Sequence, residues 1–417
     1  MLISISMFAV PAKRNLTRTI PMSDGTTVNA RLVGDEYGHF WLADNGKSYQ
    51  QVNGNDYFTE VDAESVKQRA QSRRATVNAH RSQRLQGRRV GEVGSYFGQK
   101  RGLIILVNFS NVSFQSSNDS ALYVRIANEQ NFNEGNFVGS MYDYFYAQSS
   151  GQFELTFDVV GPVTLPKTQS YYGSNDFQGN DQHPGEMARK AVELVKDQVE
   201  NWSQYDWDTD GYVDQVYLIY AGKGEADGGA ANTIWPHAWD LNSSGAGSVS
   251  VGNGLRVNNY ACGSELQGNG QIEGIGTMCH EFSHCLGYPD FYDTDYSGGQ
   301  GMDAWDLMDY GSYNANGFRP AGYTSYERWL AGWKQPIELN TGKTKVENMQ
   351  GLQDGGDFYV MYNDGNRNEY FMLENRSASA WDISLPGHGL LIIHVDYSAY
   401  AWSMNQPNDD PNHQRMT

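Results

Sequence analysis

Residues 280–290 read HEFSHCLGYPD, and this short run limits the possible folds more than any other part of the chain. His280 and His284 are four residues apart. In a strand that separation would place them about 13 Å from each other, whereas on a helix they stack one turn apart on one face. On a helix both imidazoles reach a single metal ion, and Glu281, beside the first, can act as general base on a water at that metal. Gly287 follows as a helix stop, because a residue without Cβ takes the positive φ that turns the chain back. The returning segment carries Asp290.

Zinc suits two neutral imidazoles, and a catalytic zinc site needs a third protein ligand and an open position. With Asp290 in the last place the spacing is H-E-x-x-H-x-x-G-x-x-D. Asp293 and Asp295 are rival third ligands, lying past the turn. The competing arrangement takes a glutamate from a second helix about twenty residues on. No glutamate stands between Glu281 and Glu327, so that arrangement loses. Further along, WDLMDYGSY (305–313) offers Met308 for a methionine turn beneath the metal. Tyr310 could lend its phenol to the metal or to a developing oxyanion.

A second cation loop is written in DWDTDGYVDQV (206–216). Asp206, Asp208 and Asp210 alternate, Gly211 permits a sharp turn, the Tyr212 carbonyl would supply the seventh position and Asp214 the ninth. Carboxylates clustered in this way repel one another unless a cation neutralises them. The loop reads as a calcium site of weaker affinity than a full EF-hand, because Tyr217 stands where the bidentate glutamate belongs.

Around these motifs the pattern changes along the chain. Residues 15–60 alternate short apolar runs with turn signals such as Asp24-Gly25 and Asp44-Asn45-Gly46, which reads as a small antiparallel β unit. Residues 61–89 are helix-prone, basic and poor in large apolar side chains, as in an exposed helical connector. The buried strands GLIILVNF (102–109) and DQVYLIYAG (214–222), with the amphipathic GEMARKAVELVKDQVE between them, indicate an α/β arrangement. Beyond Pro336 the chain turns β-rich. The expected fold class is therefore α/β (α+β): a zincin-like catalytic domain over 97–336, an N-terminal small β pro-segment plus helix over 13–96, and a β-rich C-terminal domain over 337–417. The ending PNDDPNHQRMT has no obvious terminator, and a truncated last domain is the expectation.

Residues 1–12 resemble the tail of a secretory signal peptide, without its positive n-region. No apolar run reaches the roughly 18 residues that span a bilayer. The formal charge of −19 argues against nucleic acid or anionic membranes as partners. Export, a monomeric state and a protein or peptide substrate are the expectations. Cys262, Cys279 and Cys285 allow one disulfide and a thiol, or three thiols.

Together GTMCHEFSHCLGYPDFYD, WDLMDYGSY, GLIILVNF, DYFYAQSSGQFELTFDVVGP and FMLENRSASAWDISLPGHGLLIIHVDY resemble the immune inhibitor A type of secreted bacterial metallopeptidases, over roughly 97–417. The resemblance implies a zinc endopeptidase of metzincin-like build, often with calcium, a pro-segment and C-terminal β domains. Carried over, it makes His280, His284 and Asp290 the zinc ligands and Glu281 the general base, with Tyr310 as an oxyanion partner. The rivals to this reading are a non-peptidase zinc hydrolase and an inert binding or adhesion protein on the same scaffold. The N-terminal segment is expected to impose latency. It has no cysteine to cap a metal, which leaves Asp35, Glu36 and His39 as candidates, with Asp35 first because it follows Gly34 in a predicted turn.

Overall fold

A computed structural model describes residues 9–14, 16–52, 55–81, 96–176, 179–339 and 345–417. In chain order the elements are β1 (Thr17–Pro21), β2 (Thr27–Asp35), β3 (Gly38–Ala43), β4 (Ser48–Gln51), β5 (Phe58–Val61), α1 (Ala63–Arg81), β6 (Gly98–Asn108), α2 (Ser120–Asn128), α3 (Met141–Gln148) and β7 (Phe153–Thr164). There follow α4 (Gln169–Gly173), α5 (Pro184–Val195), β8 (Tyr212–Val213), β9 (Val216–Lys223), β10 (His237–Asp240), β11 (Val249–Gly252), β12 (Leu255–Val257) and β13 (Asn259–Leu266). The last are α6 (Ile275–Cys285), α7 (Ser325–Leu330), β14 (Ile337–Glu338), β15 (Tyr359–Asn363), β16 (Asn366–Arg376), β17 (Gly389–Asp396) and α8 (Ala399–Ser403).

These elements group into two compact units that cut across the boundaries expected at 96 and 336. One unit takes the N-terminal elements with Gly102–Tyr123 and Asp158–Glu273; the other takes Val124–Phe157 and Gly274–Thr417. The β-rich C-terminal stretch therefore packs in the same unit as the motif helix α6.

In the first unit, β1 to β5 form an antiparallel sheet in sequence order. Helix α1 lies on it, and here the expectation of an exposed connector is corrected. Val66, Ala70 and Arg74 recur every four residues and are all buried. Arg74 is tolerated inside because it pairs with the equally buried Asp35 and sits over the Tyr37 ring. A buried arginine hides the helix's inner face from a hydropathy reading. Residues 82–95 of the basic stretch lie outside the described residues. The expected signal-peptide remnant also meets packed structure, since Ala9, Val10 and Ala12 are buried and Val10 O accepts from the Trp235 indole. Residues 1–8 are not described.

The main sheet has the order β10-β13-β9-β6-β7, with β6, β9 and β13 mutually parallel and β10 antiparallel. Alternate residues of its strands point to one face: Leu103, Ile105 and Val107, then Val216, Leu218 and Tyr220, then Tyr260 and Cys262. Against them α5 sets Met187, Ala188, Ala191, Val192 and Val195, the helical repeat legible in its sequence. Such strands, covered on their faces, read as unbroken apolar runs.

In the second unit α6 is buried on every side from Ile275 to His284. A Cβ at Gly276 would fall 1.9 Å from the Ser312 carbonyl oxygen, so only glycine lets these backbones meet. Phe282 is wedged between Phe145 and Phe157, ring centroids 5.5 and 5.4 Å away. The C-terminal sheet runs β14-β15-β16-β17. It is tied to α7 by the Ser325 N–H on Glu374 Oε2, 2.6 Å. All three cysteines are free thiols. Among the described residues no helix is long and apolar enough to cross a membrane.

Candidate metal centre

Helix α6 puts His280 and His284 on one face, with their Nε2 atoms 3.2 Å apart. Each ring is fixed from behind. His280 Nδ1 lies 2.7 Å from Leu307 O and His284 Nδ1 2.8 Å from Tyr288 O. A carbonyl can only accept, so each Nδ1 carries the proton and each Nε2 of a neutral ring presents its lone pair. Burial pushes the His284 pKa down, reinforced by His280 and only partly opposed by Asp290. That ring is neutral at physiological pH.

Gly287, at φ 94°, turns the chain after the helix, and Asp290 comes back onto the same face. Its Oδ1 stands 3.1 Å from His280 Nε2 and 3.4 Å from His284 Nε2. Oδ1 has no hydrogen-bond donor. Three acceptor atoms thus face one another inside the protein with no proton between neutral rings, an arrangement that a cation relieves. Ligand atoms 2.0–2.1 Å from a tetrahedral zinc stand about 3.3 Å from each other, which the three spacings match. The residues fit zinc. Glu281, next along α6, is fully buried.

The rivals Asp293 and Asp295 do not join this group; they converge with Asp409 instead. Met308 is fully buried, and its carbonyl accepts from Phe291 N–H at 2.8 Å, directly after Asp290. The methionine segment therefore touches the centre twice, through Leu307 O on His280 and Met308 O on the returning segment. Tyr310 opens a short 3-10 helix, its N–H capped by Asp309 Oδ1 at 2.7 Å, and its ring is half-buried.

Sequence reasoning missed Asn405. Its Nδ2 donates to Asp290 Oδ2 at 2.6 Å, and its Oδ1 accepts from Asp290 N–H at 2.7 Å. A contact across 115 residues leaves no local signal. The two carbonyls that orient the histidines are backbone atoms, equally invisible in a motif.

In the first unit, Asp206, Asp208 and Asp210 converge as the loop spacing implied. Asp214 accepts with one oxygen from Trp207 N–H at 2.5 Å, and Tyr212 donates its N–H to Asp210 Oδ1 at 2.8 Å. Burial first, then Asp208, Asp210 and Asp206, raise the Asp214 pKa to about 7 against the pull of that N–H. Asp35 pairs with Arg74 and accepts from Tyr37 N–H, both within its own segment.

Residues 108–336 match the catalytic domain of the immune inhibitor A peptidases, M6, and the chain belongs to that family. It is 26% identical over 243 residues to Immune inhibitor A of Bacillus thuringiensis subsp. alesti, covering 50% of this chain and 35% of that protein. It is 29% identical over 221 residues to the Pre-pro-metalloprotease PrtV of Vibrio cholerae serotype O1 (strain M66-2), covering 47% and 24%. The chain thus spans about a third or less of the length of these relatives.

Proposed function

We propose that this chain is a secreted zinc-dependent endopeptidase that hydrolyses protein substrates. The observation that carries the reading is the convergence of His280 Nε2, His284 Nε2 and Asp290 Oδ1 within 3.1–3.4 Å, with both Nδ1 protons committed to carbonyls. In this reading His280, His284 and Asp290 hold the metal. Bound zinc supplies a Lewis acid that polarises the scissile carbonyl and acidifies water. Glu281 takes the proton from the attacking water and delivers it to the leaving amine nitrogen as the C–N bond breaks. Tyr310 is assigned to the tetrahedral oxyanion and Met308 to the floor of the site.

Two further assignments complete the proposal. Asp206, Asp208 and Asp210 bind calcium, with Asp214 and the Tyr212 carbonyl as auxiliary groups. Residues 13–96 are a pro-segment that keeps the enzyme latent until its basic connector is cut. In this reading latency does not use Asp35 as a metal ligand, because Asp35 is paired with Arg74. The test is metal analysis combined with a casein digest, with and without chelator. One zinc per chain and chelator-sensitive cleavage are expected. Zinc without cleavage of any protein substrate would favour a non-peptidase hydrolase, and absence of zinc an inert binding protein.

A further inference from the structure

The 108–336 match stops well short of Asn405, yet this side chain grips Asp290 with both ends of its amide. A carboxamide offers a donor and an acceptor on one carbon, in one fixed plane. With Oδ2 and the backbone N–H of Asp290 both held, the carboxylate cannot rotate, and Oδ1 stays directed at the two imidazoles. Asn405 is itself locked. It is 3% exposed and follows α8 at φ 58°, a left-handed conformation that asparagine adopts more readily than most residues.

The neighbouring residues fasten the same loop at two more points. Asn408 Nδ2 donates to Phe291 O at 2.7 Å. Thr294 Oγ1 lies 2.6 Å from Asp409 Oδ1 and 3.1 Å from Asn405 O, sharing its one proton between them, and Thr294 N–H donates to Asp409 Oδ1 at 3.0 Å. Trp402 packs beside Phe291 and Tyr326, ring centroids 6.3 and 6.2 Å away. Residues 402–409 therefore clamp the 290–294 loop along its length.

We propose that Asn405 is a positioning residue of the metal centre, and that the C-terminal segment carrying it is an integral part of that centre rather than an appended module. The inference rests on Asp290 being a metal ligand. Removing a group that orients a ligand weakens metal binding by about 10–100-fold. Asn405→Asp is the sharper variant: it is nearly isosteric and keeps an acceptor for Asp290 N–H, but opposes Asp290 Oδ2 with a second carboxylate. Asn405→Gly permits the left-handed backbone and deletes the whole side chain, amide included.

The experiment uses the full chain. Zinc affinity is measured by competition with a chromophoric chelator, and the visible spectrum is recorded after cobalt(II) replacement. Near-ultraviolet circular dichroism of the metal-free proteins reports the fold. Both variants should bind zinc about 10–100-fold more weakly than the parent and show an altered cobalt spectrum with an unchanged fold. If Asn405→Gly does not fold, Asn405→Asp carries the same test. Folded variants with parental zinc affinity and an identical cobalt spectrum would overturn the proposal. A parent chain that binds no zinc would instead overturn the metal reading on which it rests.

Discussion

The calcium loop yields a prediction whose size and pH dependence both follow from its geometry. Three carboxylates converge there, and Asp214 beside them titrates at about 7 instead of its ordinary 3.8. In the metal-free chain the folded state therefore holds a proton that the unfolded state has released, between about pH 4 and 7. Stability without calcium should fall as pH rises through that window, because the unfolded state binds fewer protons there. Calcium favours the ionised carboxylates and opposes this loss, so its stabilising effect should grow up to about pH 7 and then level off. A loop without the twelfth-position glutamate belongs with the sites whose Kd is about 10⁻⁴–10⁻³ M. At about 10 mM calcium the native state then gains about 1.4–2.7 kcal/mol. For a unit of roughly 150–250 residues that is a rise in Tm of about 3–10 °C. The assay is thermal unfolding with and without calcium, at about pH 5.5 and 7.5. Asp208→Ala combined with Asp210→Ala should abolish the gain at both. Melting curves of the unmutated chain that ignore calcium at the higher pH would refute the reasoning.

Asp290→Ala should lose zinc by metal analysis, whereas Asp293→Ala and Asp295→Ala should keep it; stoichiometric zinc in Asp290→Ala would mean a different third ligand. Arg74→Ala leaves the Asp35 carboxylate buried without its partner, and urea unfolding should show a loss of about 3–5 kcal/mol. Limited trypsin treatment should nick the basic stretch between Lys67 and Arg101 and raise casein-digesting activity. An uncut chain already as active as the trimmed one would end the latency proposal and leave the zinc chemistry standing.

How much of this was written in the sequence depended on how local each feature is. His280, Glu281 and His284 share one helical turn, and Gly287 brings Asp290 back within a few residues, so spacing alone could propose the group. The strands β6 and β9 and the helix α5 were legible because their burial is nearly complete or strictly periodic. Helix α1 was misread because its third buried position is an arginine, whose partner Asp35 lies 39 residues away. The division into units was illegible for a related reason: residues 402–409 hold the 290–294 loop through amides, a hydroxyl and the single ring of Trp402, which carry no periodic signal. Asn405 has no motif at all. Its role exists only in three dimensions.

The central claim is that Glu281 moves the proton while His280, His284 and Asp290 hold zinc, and Glu281→Gln separates the two. The substitution keeps the size of the side chain and removes its basicity. Zinc content and casein hydrolysis are measured on the same preparation of the variant after trimming. The account predicts one zinc per chain, as in the parent, with hydrolysis lower by several orders of magnitude. Comparable hydrolysis in the zinc-loaded variant would contradict it.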